Sequence, residues 1–85
     1  MDVAYTPQFL RMFRKLERAL QEEAIEKINL FTKSPNHLQL KVHKLKGRLK
    51  NRFSFSVNYQ TRIVYVYLSR KEVAFLAIGD HDVYK

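Results

Sequence analysis

FSFSVNYQTRIVYVYLSRKEVAFLAI, Phe53 to Ile78, is the stretch from which the architecture of this chain is read. Phe53, Phe55 and Val57 alternate with Ser54, Ser56 and Asn58, the period of two expected of a strand with one apolar and one polar face. Asn58-Tyr59-Gln60 turns the chain into Arg62 to Leu68, a β-branched and aromatic run that is apolar on both faces, as a central strand is. Ser69-Arg70-Lys71 turns it again into Val73 to Ile78. Connections this short join neighbouring antiparallel strands, so the second half of the chain is expected to be a meander.

Upstream the period changes. Thr6-Pro7 is a helix start, with threonine placed to cap and proline at the first helical position, where its missing N–H costs nothing. Phe9, Phe13, Leu16 and Leu20 recur at helical spacing, with Arg11, Arg14, Lys15 and Arg18 mostly on the other side. A second series, Ala24, Ile28 and Phe31, follows Gln21-Glu22-Glu23, whose acids suit a new helix N-terminus near Leu20. Neither Gly nor Pro marks the break, so one bent helix is the alternative. Lys33-Ser34-Pro35-Asn36 ends the helical half, and Asp2 to Tyr5 suits a short edge strand. The expected fold is α+β in the order β-α-α-β-β-β, a helical hairpin covering one face of a small antiparallel sheet and leaving the other partly open. The 85 residues fit one domain spanning 1–85.

With no cysteine, neither a disulfide framework nor a thiolate metal site is available. MDVAYTPQF lacks the basic start and apolar run of a signal peptide, and no apolar stretch approaches the roughly 20 residues of a membrane span, so a cytoplasmic protein is expected. The formal charge of +8 is uneven: KVHKLKGRLKNR, Lys41 to Arg52, holds basic residues and no acid. A field of that density draws in a polyanion and releases its counterions, although a solvated face or a patch for an acidic protein fits the charge equally well. Lys44, Lys46, Arg48, Lys50 and Arg52 alternate with other residues and in an extended segment line one side, gripping a phosphate backbone without reading bases. The other concentration of polar chemistry is GDHDVYK, Gly79 to Lys85. Its Asp-His-Asp supplies metal-ligand types, but three adjacent side chains rarely converge on one ion, and no metal or cofactor is implied.

TPQFLRMFRKL, HKLKGRLKNRFSFSV, YQTRIVYVYL and VAFLAIGDHDVYK, in that order and spacing, resemble the RelE/ParE superfamily of bacterial toxins from type II toxin–antitoxin pairs, and within it the RelE/YafQ-like branch. The resemblance covers nearly the whole chain. It implies a ribosome-dependent endoribonuclease that cuts translated messenger RNA and is silenced by a cognate antitoxin. The ParE branch instead inhibits DNA gyrase, and a decayed RNA-binding homologue is a third possibility, because a fold does not choose its target.

In the RNA-cutting branch the resemblance points to His81 and His43, to Arg62 of the TRIVY strand, and to Tyr84. Scission of RNA by side chains needs a group to take the 2′-hydroxyl proton, one to protonate the leaving 5′-oxygen, and positive charge at the phosphorus. Histidine suits either proton role, so His81 is expected as general acid or base with Asp80 or Asp82 orienting it, and His43 as the second. Arg62 offers a planar fork to the phosphoryl group, and Tyr84 an aromatic face to a base. Two departures stand out. Tyr84 follows His81 by three residues where the YafQ-like pattern has four, and RFSFSVN lacks the acidic or histidine residues that those members carry there.

Overall fold

The computed structural model describes residues 1–47, 51–80 and 83. The chain runs β1 (Asp2–Tyr5), α1 (Pro7–Arg14), α2 (Arg18–Lys33), a 3-10 turn (Leu38–Leu40), β2 (His43–Lys44), β3 (Arg52–Ser56), β4 (Arg62–Tyr67) and β5 (Glu72–Gly79). The sheet order is β1-β5-β4-β3-β2. The run that is apolar on both faces, β4, lies at its centre, as its composition demands.

Two features go beyond the expected layout. β1 joins the edge parallel to β5, with Ala4 beside Ala74, which makes the sheet mixed. β2 adds an antiparallel edge to β3, with His43 opposite Ser54 and Lys44 opposite Phe53. A two-residue strand has no periodicity to read, so it was invisible in the basic run.

Thr6 caps α1 as its sequence position dictates: its Oγ1 accepts from Phe9 N at 3.1 Å and donates to Phe75 O at 2.7 Å, tying the helix start to β5. The break between the helices falls at Lys15–Glu17, ahead of the expected Leu20. Lys15 N–H closes on Met12 O and Leu16 N–H on Phe13 O, tightening the last turn, and Gln21 Nε2 donates to Phe13 O at 3.0 Å. A side chain and a tight turn thus satisfy the carbonyl ends that Gly or Pro usually attends.

The helices cover one sheet face. Phe9, Phe31, Phe55, Tyr65 and Phe75 are fully buried there beside Ala24, Ile28, Leu40, Ile63 and Ile78. Phe31 stacks on Phe55 at 4.7 Å between centroids and meets Tyr65 edge-on at 5.0 Å. A register shift between Val64 and Tyr65 lets Phe75 and Ile78 both point into this core. No helix among the described residues is long and apolar enough to cross a membrane.

Candidate functional site

Pairing across the sheet fixes what the second face carries. His43, Ser54, Val64 and Ala77 form one row across β2, β3, β4 and β5, and Ser56, Arg62 and Gly79 form the next. Residues directly opposite share a face. Its floor is therefore small: Ser54, Ser56, Val64, Ala74 and Ala77 are all buried. The face is less open than the strand order alone implied, because Leu45 packs with Val64 and Ala77, and Leu76 and Val83 pack against that cluster.

This small cluster brings together two regions far apart in sequence. Leu45 belongs to the basic arm and Val83 to the C-terminal GDHDVYK segment. Val83 N–H bonds to Asp80 O at 3.1 Å, a turn that folds the chain back after β5. Gly79 permits the return: a Cβ there would stand 2.7 Å from Val83 Cγ1. Val83 also helps line a cleft of about 510 Å³ with Met12, Leu16, Thr61 and Asp80.

His43 is exposed on the edge strand. Its Nε2 lies 3.5 Å from Ser54 Oγ and its Nδ1 3.4 Å from Lys41 O. A proton on Nδ1 aimed at that carbonyl leaves Nε2 as the acceptor on the floor side. Asp80 is exposed just past β5. His81, Asp82 and Tyr84 lie outside the described residues, as do Arg48 and Lys50 of the basic arm.

The basic arm does not present one cationic side. Lys44 shares the helix-side face with Phe53, whereas Arg52 stands opposite Leu45 and Val66 on the other face. The reason is the hairpin: an even-numbered residue of β2 opposes an odd-numbered one of β3, so Lys44 and Arg52 point to opposite surfaces. Gly47 at φ 71 and Asn51 at φ 70 take the left-handed backbone at the two ends of the arm's tip. An unbroken extended segment, which the alternation assumed, is therefore excluded.

Arg62 was expected to seek solvent or an anion. One edge of its guanidinium is instead used by its own turn: Nη1 donates to Asn58 O at 2.8 Å, Tyr59 O at 3.2 Å and Thr61 O at 3.4 Å. Arg62 also lines a cleft of about 500 Å³ together with Ser56, Tyr59, Lys41 and Lys27. Lys27 was missed in the sequence because it lies on the helix, where it reads as a solvated charge.

Comparison with known proteins bears on the fold. No family model matches the chain, and no curated protein matches it either. Among solved structures, YafQ from Escherichia coli superposes with a TM-score of 0.79 at 19% identity, covering 96% of this chain and 94% of that one. The RelBE2 toxin–antitoxin complex from Mycobacterium tuberculosis gives 0.77 at 20% identity over 94% and 96%. A YoeB/ParE toxin from Agrobacterium tumefaciens gives 0.76 at 18% identity over 95% and 99%. Over nearly the full length of each of these toxin structures, the chain shares their fold.

Proposed function

We propose that this chain is the toxin of a toxin–antitoxin pair and acts as a ribosome-dependent endoribonuclease on translated messenger RNA in the cytoplasm. The observation that supports this best is the cluster holding Leu45 and Val83 over Val64 and Ala77. It draws Leu45 of the basic arm and Val83 of the C-terminal segment onto one sheet face.

On this reading RNA lies across this face, whose floor is formed by the small side chains of Ser54, Ser56 and Ala77. One histidine takes the proton of the 2′-hydroxyl, whose oxygen attacks the adjacent phosphorus. The other gives a proton to the departing 5′-oxygen, so a cyclic phosphate and a free hydroxyl result. His81 and His43 fill these roles, with Asp80 or Asp82 orienting His81. The Nδ1 contact of His43 to Lys41 O suits Nε2 to the base role. Arg62 supplies positive charge at the phosphoryl group, Lys46, Arg48, Lys50 and Arg52 hold the backbone, and Tyr84 stacks on a base. Lys44, which shares the other face with Phe53, plays no part in that grip. A cognate antitoxin silences the toxin by covering this face.

A second reading, binding without hydrolysis as in a gyrase inhibitor, draws support from the floor itself, since Ser54 and Ser56 carry no titratable group where one is expected. Mapping message ends after induction decides between them. Wild type is expected to truncate translated messages, with His81→Ala losing about a hundredfold or more of the cleavage and His43→Ala a smaller factor. Growth arrest with intact messages, or undiminished cutting by His81→Ala, overturns the nuclease reading.

A further inference from the structure

Apart from Arg62, the residues of the cleft beside the β3–β4 turn take no part in the bond cleavage described above, yet its walls are built for an anion. Lys27 from α2, Lys41 after the 3-10 turn and Arg62 at the start of β4 reach it from three separate elements. Among the described residues a single carboxylate, Glu26, lines it against them.

Two of its parts are held in place. Arg62 is fixed by its three Nη1 contacts to turn carbonyls, while Nε and Nη2 have no partner among the described residues. A guanidinium already immobilised loses little entropy on meeting an anion. The turn that carries Tyr59 is braced as well. Asn58 Oδ1 accepts from Gln60 N at 2.9 Å and Thr61 N at 2.8 Å, and Asn58 Nδ2 donates to Glu23 Oε1 at 2.8 Å.

At the tip of this braced turn the Tyr59 side chain is 91% exposed, so its ring contributes nothing to the core. An aromatic face held in water at the rim of a cationic cleft is complementary to a base joined to a phosphate. The volume, about 500 Å³, lies within the range of small-ligand sites. Ser56 and Arg62 belong to both this cleft and the sheet floor, so a strand crossing the floor continues into it.

We propose that the cleft is a nucleotide subsite for single-stranded RNA, in which Lys27 and Lys41 hold the phosphate next to the scissile one on the Arg62 side and Tyr59 stacks on its base. This rests on the RNA reading above, and the experiment separates the two. A 2′-O-methyl RNA hexamer, which cannot be cut, is titrated onto the purified protein across a range of KCl concentrations. Lys27→Ala with Lys41→Ala is expected to weaken binding about tenfold at low salt and to flatten the dependence of log affinity on log salt by about 0.7, the increment for one single-strand phosphate. Tyr59→Ala is expected to weaken it about tenfold with an unchanged slope, and Tyr59→Phe to bind as wild type. A wild type that does not bind the hexamer removes the RNA reading and the subsite with it. A wild type that binds, with a double lysine variant of unchanged affinity and slope, overturns the subsite alone. Should that double variant lose only the binding of a polyglutamate peptide, the cleft is a protein-docking surface and the proposal fails.

Discussion

The two faces of the sheet use the same strands for opposite purposes. Toward the helices, β3, β4 and β5 present Phe55, Ile63, Tyr65, Val73 and Phe75, large side chains that are fully buried. On the other side the same strands present Ser54, Ser56, Val64, Ala74 and Ala77, of which none is larger than valine. A thin domain has one core's worth of apolar volume to distribute, and here it lies almost wholly on the helix side. The second face is left shallow, and its rim carries His43, Arg52 and Arg62. Large side chains on both faces would add cohesion but fill the surface on which the proposed substrate backbone lies.

Damage to the first face is expected to cost stability. Phe31 stacks on Phe55 and meets Tyr65 and Phe75, so Phe31→Ala empties the centre of the aromatic cluster. A loss of about 3–5 kcal/mol is expected, enough to unfold much of a small domain, read as a fall in the urea midpoint. A cost below about 1 kcal/mol breaks the comparison. Thr6→Ala acts on the same side through the cap to Phe9 N and the bond to Phe75 O. It is expected to lower stability by about 2 kcal/mol, with Thr6→Ser recovering most of it.

Damage to the second face is expected to leave the fold and remove the chemistry. In Gly79→Ala the new methyl stands 2.7 Å from Val83 Cγ1, so the Val83 side chain must shift. A stability change of about 1 kcal/mol is expected. Message cleavage, followed by end mapping, is expected to fall at least tenfold. Val83→Ala in the same chain opens the space again and is expected to restore part of it. Full activity in Gly79→Ala detaches the C-terminal turn from the reaction centre.

The first face was legible in the sequence and the second was not, for a physical reason. Burial against helices imposes periodicity, so Phe53, Phe55 and Val57, or Phe9 and Phe13, announce both element and orientation. The central place of β4 follows from Arg62 to Leu68 alone. A shallow surface imposes no such pattern. Lys44 and Arg52 share an alternation in the sequence yet point to opposite surfaces, because Gly47 and Asn51 bound the tip of a hairpin between them. Lys27 joins Arg62 and Lys41 only through tertiary packing of α2 beside the turn. The strand β2 owes its existence to its partner β3, a long-range pairing that two residues cannot advertise. His81 and Tyr84 were proposed from resemblance and Asp82 from its place beside His81, and the described residues of their segment are Gly79, Asp80 and Val83.

The smallest effect is expected where the first face carries a polar group. Among the described residues the Tyr65 hydroxyl is buried by aromatic rings without a well-formed hydrogen bond, with Tyr67 beside it. Burial, reinforced by Tyr67, raises its pKa far above the usual phenol range. The folded state therefore holds this proton to higher pH than the unfolded chain, whose tyrosines ionise near the ordinary value of about 10. Below that pH both states are protonated and the contribution is constant. Above it only the unfolded state releases the proton, so stability is lost as pH rises, by up to about 1.4 kcal/mol per unit from this group. Tyr65→Phe removes both the desolvated hydroxyl and the titration. At pH 7 it is expected to change stability by less than about 1 kcal/mol, in either direction. Between pH 10 and 11.5, with the urea midpoint as readout, the variant is expected to lose stability less steeply than wild type. Parallel curves for the two proteins would mean that the hydroxyl reaches water in solution, and that the helix-side face is less tightly closed than its aromatic packing indicates.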